Sequence, residues 1–162
     1  EKASEWGISG IYLCGHSAGA HLAAEILAKP FFKKEQEKTK LKGSILLSGI
    51  YEPEVVLNLE VNQDIRLDEK TASACNVMRK PPLANSPILI CVGGEEPEGW
   101  IDQSRRYAGA CSDKNQNAEF RIIENANHFS LLDNAVNSDF SLNKTIISFI
   151  GKQEMHKRPA DS

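Results

Sequence analysis

The apolar positions fall into four short runs separated by polar or helix-patterned stretches. Residues 10–15 (GIYLCG) form an apolar run bounded by glycines, which predicts a strand buried on both faces and hence a parallel sheet covered by helices. The segment 18–29 (AGAHLAAEILAK) consists of strong helix formers, with Leu22, Ile26 and Leu27 giving an apolar stripe and Pro30 stopping it. Residues 33–40 (KKEQEKTK) read as a solvated connection and 43–51 (GSILLSGIY) as a second buried strand. Residues 52–86 carry prolines at 53, 81 and 82 and predict an irregular insertion, with a helix over 67–78 that Asp68 could cap. A third strand is predicted over 87–94 (PILICVGG), followed by an acidic loop and a helix around 100–111. Residues 118–124 predict a fourth strand, NANHFS a loop, and 143–155 a last helix. Strands alternating with helices imply an α/β architecture with a mostly parallel sheet. The division that follows is one domain over 1–151 and a polar tail over 152–162.

Composition narrows the partners. The 162 residues are 41% hydrophobic and 25% charged, which suits one globular domain. Nineteen basic against 22 acidic residues give a net charge of −3 spread along the chain, so there is no basic field for nucleic acid. No window is apolar enough for a membrane span, and the expected location is the cytoplasm. Cys14, Cys75, Cys91 and Cys111 show no Cys-X-X-Cys spacing, and they read as reduced, structural thiols.

The chemistry concentrates at Gly15-His16-Ser17-Ala18-Gly19, a Gly-X-Ser-X-Gly pattern with a strand before it and a helix after it. A serine at such a turn sits in a strained conformation that lifts Oγ clear of the sheet, and flanking glycines let strand and helix approach. The N–H of Ala18 opens the helix and can receive an oxyanion. A serine hydroxyl is a poor nucleophile, so it requires a histidine base and an orienting carboxylate, in the chain order Ser, acid, His. His128, after the fourth strand, stands where the base is expected. The loop VGGEEPEGW offers Glu95, Glu96 and Glu98 as the acid; Glu96 is preferred, Glu95 is the alternative, and at least one of the three serves only to cap the following helix. His16 and His21 read as packing or supporting residues. The histidines at 16, 21, 128 and 156 lack metal-ligand spacing, and the chemistry needs neither metal nor cofactor.

Together GHSAGAHLAA, LLSGIYE, VGGEEPEGWIDQS and NANHFSLLD resemble the kynurenine formamidase (arylformamidase) family of α/β-hydrolases over most of the chain. The resemblance implies a catalytic triad of Ser17, Glu96 and His128 and hydrolysis of N-formyl-L-kynurenine to kynurenine and formate in tryptophan breakdown. It also implies a small-molecule substrate as partner, with a homodimer left open and no nucleic acid or membrane. Trp100 becomes a candidate contact for the aryl ring, against the alternative of core packing. Members of the family carry an upstream His-Gly-Gly segment that supplies further oxyanion donors, and no such segment lies between Glu1 and Ser162. The expectation is therefore the C-terminal part of an α/β-hydrolase fold with its N-terminal strands missing, weakly active or inactive alone. Two other readings compete: a carboxylesterase or acylaminoacyl-peptidase-like hydrolase sharing every named residue, and a non-catalytic interaction module.

Overall fold

The computed structural model describes residues 5–8, 10–30, 41–113 and 117–155. The predicted connection at 33–40 and the tail beyond 155 lie outside them. In chain order the elements are β1 (Ile11–His16), α1 (Ala18–Leu27), β2 (Leu41–Leu47), the single turn α2 (Asn62–Ile65), α3 (Glu69–Ala74), β3 (Ile88–Gly93), α4 (Glu98–Ser112), β4 (Ala118–Ile123), α5 (Ser130–Val136) and α6 (Ser141–Met155). The strands pair in the order β1-β2-β3-β4, all parallel.

Pleating sends alternate residues of the two central strands to opposite faces, and both faces are covered. Leu46, Ile88 and Ile90 pack under α1 and α4 with Ala20, Ala23, Ala24, Leu27, Tyr107 and Cys111. Ile45, Leu47, Leu89 and Cys91 face the other way, onto Leu131 of α5 and Leu142 and Phe149 of α6. This double burial is why ILICVG reads as an unbroken apolar run, and each fully buried Ile or Leu there contributes about 1.5–3 kcal/mol. In α1 the buried stripe is Ala20, Ala23, Ala24 and Leu27, while the predicted Leu22 is 59% exposed. Alanines bring the helix axis close to the sheet, and the larger side chain is turned outward.

Three expectations change. Among the described residues β1 is not buried on both faces: it is the outermost strand of the sheet, with Ile11 and Cys14 exposed, so Cys14 is not the buried thiol its apolar surroundings suggest. Cys91 is buried, and burial pushes its thiol up to about 12. The second strand ends at Leu47, not Tyr51, because Ser48 turns to φ 45°. Tyr51 then stacks on Tyr107 with ring centroids 4.2 Å apart, and Gln103 Oε1 accepts its N–H at 2.9 Å. The helix predicted over 67–78 is capped by Asp68, which accepts the Thr71 N–H at 2.7 Å, but it stops at Ala74. Asn76 draws the chain away by accepting the Met78 N–H and donating to Glu54, a side-chain alternative to helical pairing.

The helix α5 is absent from the sequence-based expectation, and α6 runs to Met155, past the predicted start of the tail. Ion pairs of Lys152 with Glu119 and of Lys42 with Glu154 tie α6 to the sheet.

Candidate active site

The site lies at the C-terminal ends of the strands, where β1, β2, β3 and β4 each hand the chain to a turn. Ser17 occupies the step from β1 to α1 with φ 55° and ψ −121°, a conformation costing a non-glycine residue on the order of 1–3 kcal/mol. Its own N–H donates to Leu47 O at 2.9 Å, which pins the turn to the end of β2. A Cβ at Gly15 would lie 2.3 Å from Gly19 O, so the first glycine of the motif is sterically required. The second is different: a Cβ at Gly19 would meet nothing within 4 Å among the described residues. Ala18 is the first residue of α1, so its N–H has no acceptor within the helix and sits at the positive end of the dipole.

His128 reaches this turn from the loop between β4 and α5. Ser17 Oγ donates to Nε2 at 3.0 Å, and Nδ1–H donates to Glu96 Oε2 at 2.8 Å, the tautomer following from these partners. Asn127 frames the loop: its Oδ1 accepts the N–H groups of Phe129 and Ser130, and its own N–H donates to Ser130 Oγ. These bonds fix the turn that carries His128 and leads into α5.

Of the three loop carboxylates, only Glu96 is buried, at 6% exposure; Glu95 and Glu98 face outward, Glu98 in the first turn of α4. Glu96 Oε1 accepts from Gly93 N–H at 2.9 Å and from Ser48 Oγ. With His128 on Oε2, both oxygens of a buried carboxylate are satisfied, as a buried charge requires. A Cβ at Gly93 would lie 2.3 Å from Ala126 O and 3.1 Å from Glu96 Oε1, so this glycine permits the acid loop and the histidine loop to meet.

One member of this arrangement, Ser48, was not singled out by sequence, and a second, His16, was read there only as a packing or supporting residue. Ser48 lies in LLSGIYE, and its only local signal is a serine interrupting an apolar strand run. His16 Nε2 donates to the backbone carbonyl of His128 at 2.8 Å, with the rings 4.6 Å apart. Burial holds His16 below its usual value. Trp100 stands edge-on to His128 with ring centroids 6.4 Å apart. His21 donates from Nδ1 to Ile50 O at 2.6 Å, joining α1 to the insertion.

One group of metal-type side chains gathers among the described residues: His21, Glu25 and Cys75, with ligand atoms within 4.8 Å of one another. Sequence spacing could not announce it, since Cys75 arrives from α3. Lys29 and Lys80 already pair with Glu25, at 3.3 and 2.7 Å, and their charges oppose a cation there.

Chemically, the Ser17–His128–Glu96 chain can move a proton from a hydroxyl to an imidazole whose cation faces a buried carboxylate. No helix among the described residues is long and apolar enough to cross a membrane.

No family model matches the chain. It is 33% identical over 150 residues to a kynurenine formamidase of Danio rerio and 31% identical over 151 residues to one of Salmo salar, in each case over 90% of this chain and 51% of the relative. The chain thus spans about half the length of the curated relatives it matches. Among solved structures it superposes on Pyrococcus horikoshii acylaminoacyl peptidase with a TM-score of 0.68 at 13% identity, covering 95% of this chain and 26% of that one. Esterase B of Lactobacillus rhamnosis gives 0.67 at 13% identity over 95% of this chain and 59% of that one. An α/β-hydrolase enzyme from a sediment metagenome gives 0.58 at 13% identity over 94% and 66%.

Proposed function

We propose that this chain, a homologue of the kynurenine formamidases built on the α/β-hydrolase fold, carries the nucleophile, base and acid for hydrolysis of N-formyl-L-kynurenine to kynurenine and formate. The observation that carries the reading is the continuous hydrogen-bond chain from Ser17 Oγ through His128 to the buried Glu96. Similarity to formamidases over 90% of the chain supports the choice of substrate.

Ser17 Oγ attacks the formyl carbon while His128 Nε2 takes its proton, and Glu96 stabilises the imidazolium. The tetrahedral oxyanion rests on the Ala18 N–H, where donor and helix dipole act together. Collapse breaks the C–N bond, and His128 returns the proton to the departing arylamine, whose lone pair the ring delocalises. Water then enters, His128 takes its proton, and formate leaves from the formyl-serine as Ser17 regains its hydrogen. Trp100 stands edge-on beside the imidazole of His128. The reading includes a cytoplasmic location, supported by four cysteines that are all free.

A second reading, a carboxylesterase or acylaminoacyl-peptidase-like enzyme, is favoured by the structural neighbours. Turnover of N-formylkynurenine against a p-nitrophenyl ester separates the two, measured on this chain and on the longest natural form that contains it. Formamide preference together with fluorophosphonate labelling that disappears in Ser17→Ala is expected. A strong ester preference transfers the chain to the second reading, and absence of labelling in every form points to a non-catalytic module.

A further inference from the structure

Beside the nucleophile turn lies an apolar cavity of about 190 Å³. Ala18, the residue that follows Ser17, lines it together with His21 and Cys75. The rest is hydrocarbon from Ile50 and, in the insertion, from Pro53, Val56, Ile65 and Leu67. The insertion that sequence patterning leaves irregular therefore has a defined product, a lined space one residue away from Ser17. The bond from His21 Nδ1 to Ile50 O ties two of its lining residues together, and the Asp68 cap fixes the start of α3 between the lining residues Leu67 and Cys75.

Size and chemistry restrict the occupant. A dry protein cavity of about 150 Å³ takes up benzene, so this one holds a single aromatic ring. Apolar walls with few polar groups are the usual composition of a small-molecule site. A formyl group has only hydrogen beyond its carbonyl, so formamide hydrolysis has no acyl side chain to house. An apolar pocket adjoining the nucleophile is then available to the leaving group.

We infer that this cavity is the aryl subsite, with Leu67, Ile65 and Val56 setting which N-aryl formamides are accepted and Cys75 reporting its occupancy. The inference rests on the formamidase reading and deepens it, and the two fail separately.

Two measurements test it. In the longest natural form containing this chain, Leu67→Phe fills the cavity and should lower kcat/KM for N-aryl formamides relative to N-alkyl formamides by about 10- to 200-fold, the range for a misfit in an apolar pocket. Leu67→Ala should shift the ratio toward bicyclic aryl formamides. A variant that loses its fold loses all substrates together and leaves the ratio unaltered, so the second measurement uses the unsubstituted chain. Kynurenine should slow alkylation of Cys75 by iodoacetamide while leaving the exposed Cys14 unaffected. Protection of Cys75 without formamide turnover in the longest natural form containing this chain upholds an aryl-binding cavity and sinks the formamidase reading. Turnover with an unaltered ratio in a folded Leu67→Phe and no protection of Cys75 overturns the subsite, as does a Leu67→Phe effect confined to the acyl length of p-nitrophenyl esters, which makes the cavity an acyl pocket.

Discussion

Glu96→Gln isolates the electrostatic and tautomeric work of the acid, because the surrounding donors dictate how the amide must sit. Oε1 of Glu96 receives the Gly93 N–H and the Ser48 hydroxyl, and Oε2 receives Nδ1–H of His128. A backbone N–H cannot become an acceptor, so the amide oxygen of Gln takes the Oε1 place and its NH₂ is left facing Nδ1. That donor favours the tautomer protonated on Nε2, which then donates toward Ser17 and cannot take its proton. Such a tautomer error costs about 10⁴-fold in kcat, or about 5.5 kcal/mol of barrier at 1.36 kcal/mol per decade. The substitution is isosteric, so near-native thermal stability should accompany the lost turnover, and ¹⁵N chemical shifts of His128 should report the exchanged tautomer. The comparison variant is Glu95→Gln: Glu95 is exposed and uses its N–H, not its carboxylate, to bond Ala126 O. A Glu96→Gln enzyme retaining more than about a tenth of the parent rate would refute the argument.

Three further outcomes follow from the same geometry. Gly15→Ala should destabilise the chain by at least about 1–3 kcal/mol through its contact with Gly19 O, whereas Gly19→Ala should be neutral or stabilising by up to about 1 kcal/mol; equal urea midpoints for the two would contradict the steric account. Ser48→Ala removes a hydroxyl donor from the buried carboxylate and should cost about 1.5–3 kcal/mol of stability together with a drop in kcat at nearly constant KM; if neither changes, the Ser48 bond has no weight. Burial depresses His16 below its unfolded value of 6.5, so the unfolded chain binds more protons just below that pH. The stability His16 contributes is complete above about 6.5 and is lost as pH falls toward its folded value; His16→Gln should flatten that part of a urea-midpoint profile, and an identical slope would exclude His16 as the source.

The amino-acid sequence by itself determined what nearest neighbours can enforce. The run 88–93 is apolar at every position because both faces are covered, Asp68 announces its helix, and Gly15-His16-Ser17 specifies a strand-to-helix turn through the close approach that only Gly15 allows. Tertiary structure alone decided among chemically equal candidates. Glu95 and Glu96 are adjacent and alike, and what separates them is that one is buried against Ser48, Gly93 and His128 while the other faces solvent. The partners of that choice lie far off in the chain: Ser48 is 48 residues from Glu96, His128 is 32 from Glu96 and 111 from Ser17, and His16 is 112 from the carbonyl it holds. Likewise an apolar run does not reveal how deeply its strand is buried: among the described residues β1 is partly exposed along its length while β3 is buried throughout. Periodicity and turn sterics act over a few residues and are written locally. Hydrogen bonds between loops exist only after parallel strands have set those loops side by side.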